Sequence, residues 1–224
     1  VSQPIRVLLV DDQPMIRTGF RLILEAEQDI VVVGESADGA QGVDDTRALQ
    51  PDIVLMDIRM PRLDGVEATR LIAASGSASR IIILTTFDLD AHVVDALRAG
   101  ASGFLVKDGP AESLVDAIRT VAAGEAVLSP RITQRLLDRF SRLAPAEPVR
   151  VPPSLDALTA RQLDVLRALA RGLSNAEIAR ELHVGETTVK THIGHIFEKY
   201  GLRDRVQAVI LAYDTGLVSP TADR

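Results

Sequence analysis

Over roughly the first 125 residues, short apolar runs alternate with longer segments whose apolar positions recur every three or four residues. A short apolar run bounded by turn formers predicts a strand, and the helical recurrence predicts an amphipathic helix. Strands are expected at 5–10, 30–34, 52–57, 80–85 and 102–106. Helices are expected near 14–27, 39–49, 64–74, 90–99 and 111–123. Gly34, Gly39, Pro51, Pro61, Gly65, Gly100, Gly103 and Pro110 mark the turns. Regular alternation of strand and helix implies parallel strands joined by crossover helices. The expected fold class is α/β, a flavodoxin-like, doubly wound, five-stranded parallel sheet.

From Ser129 the period changes. Residues 131–143 carry Ile132, Leu136, Leu137 and Phe140 on one helical face. Pro145, Pro148, Pro152 and Pro153 follow, and so dense a set of prolines cannot continue a helix, so an extended linker is expected. Four helices are then expected at 159–171, 174–182, 187–200 and 204–215. Thr159, Ser174 and Asp204 stand at their N-caps, Glu177 completes a capping box with Ser174, and Gly172 and Gly201 mark stops. The boundaries predicted are 1–125 for the sheet domain, 126–154 for a helical and Pro-rich linker, 155–218 for an all-α four-helix domain, and 219–224 for a tail.

Charge separates these parts. Residues 1–128 hold 11 Lys/Arg against 20 Asp/Glu, net −9; residues 129–153 are net +3 and residues 154–224 are neutral. The acidic part suits a cation site better than a nucleic-acid surface. The neutral helical part lacks the strong basic bias of many DNA binders, although a small module can still present one basic face. There are no cysteines, which excludes disulfides and thiolate metal sites. No apolar stretch reaches membrane-spanning length and the N-terminus has no signal pattern, so a cytoplasmic location without a membrane partner is expected.

The candidate chemistry lies at strand ends. Ile53-Val54-Leu55-Met56 delivers Asp57 to a tip, and the run from Ile5 to Val10 ends in Asp11-Asp12. In a parallel sheet the loops at the carboxyl ends of strands share one crevice. Three carboxylates crowded there need a cation among them, and hard oxygen ligands suit Mg²⁺. A carboxylate beside such a metal can attack phosphorus. The fourth strand ends in Thr85 and the fifth in Lys107, a hydroxyl and an ammonium suited to the oxygens of a transferred phosphoryl group. Each residue alone has a plainer reading: Asp57 as a turn former, Asp11-Asp12 as a cap for the helix after Pro14, Lys107 as a solvated cation, Thr85 as a strand residue. Their joint order favours the site.

With those motifs in place, residues 1–125 resemble the receiver domain of two-component response regulators. Val10-Asp11-Asp12, Leu55-Met56-Asp57-Ile58-Arg59-Met60-Pro61, Asp64-Gly65, Leu84-Thr85 and Lys107 match its motifs in order. The resemblance implies that Asp57 accepts phosphate from a sensor histidine kinase. It implies that Asp12 and Asp57 ligate Mg²⁺ directly with the Arg59 carbonyl, while Asp11 acts through water. It places Thr85 and Phe104 at switch positions, where the hydroxyl moves toward the phosphoryl group and the ring turns inward. Arg59 and Phe87 lie two residues beyond Asp57 and Thr85, where hydrolytic water approaches, so a long-lived phosphoryl state is expected. Asp108 follows Lys107 where many receivers have proline.

In the helix expected at 187–200, Val189, Ile193, Ile196, Phe197 and Tyr200 form an apolar stripe. Thr187, Thr191, Gly194 and His195 point away from it, flanked by Lys190, His192 and Lys199. Short polar side chains with flanking cations suit a major groove, although many surface helices look the same. Leu158-Thr159-Ala160-Arg161-Gln162, Gly172-Leu173-Ser174-Asn175-Ala176-Glu177-Ile178-Ala179 and Thr188-Val189-Lys190-Thr191-His192-Ile193 resemble the LuxR-type helix-turn-helix domain, and the whole chain then resembles a NarL/FixJ-type regulator. The resemblance implies groove-facing Lys190, Thr191 and Gly194, with double-stranded DNA as ligand. Gly194 brings no side chain, so specificity is expected to lean on Lys190, Thr191, Thr188 and DNA shape. Gly185 stands where relatives commonly place an N-capping serine. The last helix, with Val206, Val209, Ile210, Tyr213 and Leu217, is expected to expose more apolar surface than a four-helix unit needs, with simple core packing as the other reading. The resemblance implies a homodimer surface there and an inverted-repeat operator.

The function expected is phosphorylation-controlled transcription regulation, with dimerisation on activation and RNA polymerase as a further partner. The protein is not expected to be an enzyme beyond slow self-dephosphorylation. A regulator that ignores phosphorylation is one alternative. An aspartate-nucleophile phosphatase would need a second Asp two residues after Asp57, where Arg59 stands. A flavodoxin-like redox protein would need aromatic rings around a flavin, and this chain has no Trp and two Tyr.

Overall fold

The computed structural model describes residues 3–85, 93–124 and 154–218. The chain divides into two compact units, Val1–Ser129 and Pro130–Arg224. The expected helix 131–143, the Pro-rich segment and Phe87 lie outside the described residues.

The first unit alternates β1 (Ile5–Val10), α1 (Pro14–Glu25), β2 (Ile30–Ser36), α2 (Gly39–Leu49), β3 (Ile53–Asp57), α3 (Gly65–Ala74), β4 (Arg80–Thr85), α4 (Val93–Ala99), β5 (Gly103–Val106) and α5 (Ala111–Ala122). The strands are parallel in the order β2-β1-β3-β4-β5. Because helices cover both faces, the inner strands are apolar throughout rather than alternating. Val7, Leu9, Ile53, Leu55, Ile82 and Leu84 form one core with Leu24 of α1 and Leu114, Ile118 and Val121 of α5. Leu8, Val10, Val54, Met56, Ile81 and Ile83 are equally buried on the other face.

Local signals start the helices: Pro14 opens α1, and Asp38 and Asp64, not singled out as caps in the sequence, cap α2 and α3 by accepting from Gln41 N (3.0 Å) and Glu67 N (2.8 Å). Gly34 corrects an expectation. It does not end β2 but lies inside it, beside a register slip between Val7 and Leu8. A Cβ there would come within 2.6 Å of Leu49 Cδ1 and 3.1 Å of Leu8 Cδ1, so packing explains the glycine.

The second unit begins with a 3-10 turn, Leu155–Ala157, followed by α6 (Ala160–Ala170), α7 (Asn175–Glu181), α8 (Glu186–Tyr200) and α9 (Arg205–Asp214). Two capping boxes start its helices, Ser174 with Glu177 as expected and Thr159 with Gln162 in addition. Gly172 and Gly201 take φ of 83° and 63°, the left-handed conformation of helix stops. Val165, Leu166, Leu169, Ile178, Val189, Ile196, Ala208 and Leu211 form the core. Among the described residues, no helix is long and apolar enough to cross a membrane.

Candidate functional site

Parallel register determines what meets at the carboxyl edge of the sheet. Val10 is paired with Met56 and Thr85 with Val106, so the residues that follow emerge side by side. Asp57 ends β3 with its side chain 6% exposed. The Lys107 ammonium, 3% exposed, lies 2.9 Å from Asp57 Oδ1 and 2.6 Å from Asp11 Oδ2. Its backbone N donates to the Thr85 carbonyl at 2.8 Å, which ties the cation to the end of β4. Asp11, Asp12 and Asp57 each bring a carboxylate oxygen within 4.8 Å of the others.

Asp11 and Asp57 share one ammonium, and Asp12 lies beside them. Burial, aided by the charges of Asp11 and Asp12, raises the Asp57 pKa from its ordinary value against the pull of Lys107. Burial also disfavours the Lys107 ammonium, but hydrogen bonds to Asp11 and Asp57 outweigh it and hold its pKa above the usual value. Asp12 Oδ1 is buried and has no hydrogen-bond partner. A buried, unpartnered carboxylate oxygen beside two more carboxylates fits a hard divalent cation, and the site could hold one.

The plainer readings of these residues meet the geometry differently. Asp11-Asp12 does not cap α1: Gln13 is the N-cap, without a side-chain cap bond, and Asp11 Oδ1 accepts from Gln13 N at 2.9 Å. Lys107 is not a solvated cation. Thr85 is 7% exposed, and Phe104 is 1% exposed, with its ring already inside. Arg59 is exposed, and no cis peptide occurs among the described residues, the Lys107–Asp108 bond included.

Other supports went unread in the sequence. Gly65 N donates to the Ile58 carbonyl at 2.9 Å, and a Cβ on Gly65 would lie 2.0 Å from the Asp57 carbonyl oxygen. The Asp-Gly pair signalled a turn, but only the fold reveals this close approach. Arg62, at φ 67°, pairs with the buried Asp38 and holds the β3–α3 loop against the start of α2. Arg17 donates to the Asp11 carbonyl at 2.6 Å.

In the second unit, α8 buries Val189 and Ile196 and exposes Thr187, Thr188, Lys190, Thr191, Gly194 and His195. A Cβ on Gly194 would meet nothing within 4 Å, so the position is open. Gly185 is the N-cap and makes no side-chain bond. Two expectations are corrected. Lys199 is not a free flanking cation; its ammonium donates to the Ala157 carbonyl at 2.5 Å and to Gln162 Oε1 at 3.3 Å, anchoring the 3-10 turn. The apolar residues of α9 are not a bare surface either. Val206 and Ile210 are 1% and 9% exposed, Leu217 packs on the core, and Tyr213 packs there while its hydroxyl donates to the Ala170 carbonyl at 3.3 Å. Of Val206, Val209, Ile210, Tyr213 and Leu217, the second, fourth and fifth keep partial exposure, and of these only Val209 and Tyr213 lie within α9.

The acidic pocket lies at the strand ends of a 2-1-3-4-5 parallel sheet, and the same chain carries a second, all-helical unit. The family model for the response regulator receiver domain matches residues 7–119, and that for bacterial regulatory proteins of the luxR family matches residues 156–212. The chain is 42% identical over 214 residues to the transcriptional regulatory protein YxjL of Bacillus subtilis (strain 168), covering 96% of this chain and 97% of the relative. It is 37% identical over 209 residues to the nitrate/nitrite response regulator protein NarL of Escherichia coli (strain K12), covering 93% and 95%. Among solved structures, the response regulator ChrA of a heme-sensing two-component system is 38% identical, with a TM-score of 0.53 and coverage of 97% and 100%. The chain belongs to the response-regulator family, with a receiver domain and a LuxR-type DNA-binding domain. Its two domains imply a sensor kinase as partner and DNA as target.

Proposed function

We propose that phosphorylation of Asp57 controls how tightly this cytoplasmic regulator binds DNA. The observation that carries the reading is the pairing of Asp57 with Lys107 beside the unpartnered Asp12 oxygen. Asp57 attacks the phosphorus of a phosphohistidine on the sensor kinase. The phosphorus–nitrogen bond breaks, and the departing imidazole takes a proton as it leaves. Asp12, Asp57 and the Arg59 carbonyl would hold Mg²⁺, with Asp11 acting through water. The bound ion supplies positive charge to the phosphoryl oxygens. Lys107 then exchanges its contact with Asp57 Oδ1 for a phosphoryl oxygen, and the Thr85 hydroxyl takes another. Arg59, exposed beside the pocket, restricts hydrolytic water and gives the phosphoryl group a long lifetime, so self-dephosphorylation is slow.

Phe104 and Thr85 carry the change to the receiver surface and bias a pre-existing equilibrium toward a dimer. Two copies of α8 then read an inverted repeat, with Thr187, Thr188, Lys190, Thr191, Gly194 and His195 facing the groove, and RNA polymerase is a further partner at the promoter. The dimer contact on α9 falls to Val209 and Tyr213, the residues with area left to give. Gel-shift titration of operator DNA with and without a phosphodonor tests the control: phosphorylation tightens binding, and Asp57→Ala abolishes the difference.

A further inference from the structure

The N-cap residue Gln13 offers no side-chain bond, but its N–H donates to Asp11 Oδ1 at 2.9 Å. A further hold comes from one turn on. Arg17, its side chain 15% exposed, donates from one terminal nitrogen to the Asp11 carbonyl at 2.6 Å and from Nε to Glu35 Oε2 at 3.1 Å. Glu35 is fixed in turn by Arg21, whose Nε donates to Oε1 at 2.6 Å. The next residue on β2, Ser36, accepts from Asp11 N at 3.1 Å. Both ends of the Asp11 backbone are therefore tied to β2, one directly and one through the Arg17 fork.

The Asp11 carbonyl belongs to the peptide that carries Asp12. Fixing that plane fixes the direction in which Asp12 leaves the backbone, and Asp12 Oδ1 is the buried oxygen without a partner. Glu35 neutralises the Arg17 charge at contact distance, so Arg17 acts on the pocket through geometry more than through its field. We propose that Arg17 is a positioning residue that preorganises the Asp11-Asp12 loop for a divalent cation, with Glu35 as its anchor. The inference rests on the reading of the pocket as a Mg²⁺ site. Residues that orient metal ligands from behind typically change metal affinity by about 10–100-fold.

The test is a titration of metal-free, full-length protein with Mg²⁺ alone, followed by calorimetry and by amide chemical shifts around Asp11 and Asp57. Arg17→Ala should raise the Mg²⁺ Kd by about tenfold or more. Arg17→Lys should raise it too, because one ammonium cannot span both the carbonyl and Glu35. Arg21→Ala, which loosens Glu35 without touching Asp11, should raise the Kd clearly less than the Arg17 variants do. Thermal unfolding in chelator reports whether each variant is folded; if Arg17→Ala is not, Arg17→Lys and Glu35→Gln carry the test, both with a raised Kd. An unchanged Kd in the folded Arg17 variants would overturn the proposal. So would an Arg21→Ala loss equal to that of the Arg17 variants, which would assign the effect to the network as a whole. Absence of Mg²⁺ binding by the unaltered protein would instead overturn the metal reading, and this inference with it.

Discussion

Lys107 and Asp57 meet at 2.9 Å with both side chains almost wholly withdrawn from water. They come from the ends of β5 and β3, fifty residues apart in sequence, and β4 lies between those strands. The pair makes the acidic pocket tolerable when no metal is bound. Lys107→Met leaves Asp11 and Asp57 without that cation, and breaking a buried pair of this kind costs about 3–5 kcal/mol. Thermal unfolding in chelator should show the loss, and added Mg²⁺ should restore part of it by binding the folded state. An equal loss with and without Mg²⁺ would contradict the shared role of Lys107 and a metal.

Gly65 supports the same carboxylate from behind. A methyl group at this position would lie 2.0 Å from the Asp57 carbonyl oxygen, and the obstacle is backbone, which cannot swing aside. Gly65→Ala should destabilise the receiver by about 1–3 kcal/mol, the usual cost of overpacking. It should also slow Asp57 phosphorylation by a small-molecule phosphodonor. Wild-type stability and rate together would show that the loop relaxes freely.

Glu35 gives the receiver a defined acid sensitivity. Burial pushes its pKa up, but hydrogen bonds from Arg21 and Arg17 outweigh that and leave it below the ordinary glutamate value. A depressed carboxylate pKa means that the unfolded chain binds the proton more readily. The stabilisation is therefore complete above an unfolded pKa of about 4.3 and is lost as pH falls through the folded value. For a partly exposed pair it amounts to about 1 kcal/mol. Urea unfolding of the wild type and Glu35→Gln should differ at neutral pH and converge in acid; a gap that widens on acidification would reverse the sign.

Two lysines of α8 separate DNA contact from folding. Lys190 is exposed on the open face, whereas Lys199 holds the 3-10 turn through the Ala157 carbonyl. Lys190→Ala should weaken operator binding and, if it contacts phosphate, reduce the salt dependence by about one unit of slope. Lys199→Ala should lower the stability of the helical domain and leave that slope unchanged. The opposite assignment would mean that α8 docks by its other edge.

The sheet and its acidic pocket were legible because periodicity names the strands, and parallel pairing forces their carboxyl ends together. Asp11, Asp57, Thr85 and Lys107 could be placed without coordinates for that reason. Arg17, Arg62 and Gly65 could not. Their roles depend on which backbone atom lies opposite, a tertiary distance with no period in the sequence. Gly34 misled because glycine has the same letter in a turn and under a close-packed Leu49. Lys199 misled because a helical wheel gives directions and not what fills them, and for the same reason the sequence left core packing and a dimer surface both open for α9.

The central claim is that Asp57 controls DNA binding. It is tested most directly by operator affinity of the full-length protein, measured with Mg²⁺ in the presence and absence of a phosphodonor, for the wild type and Asp57→Ala. The expected result is tighter binding on phosphorylation of the wild type and no response in the variant. Equal affinity of phosphorylated and unphosphorylated wild-type protein would contradict it.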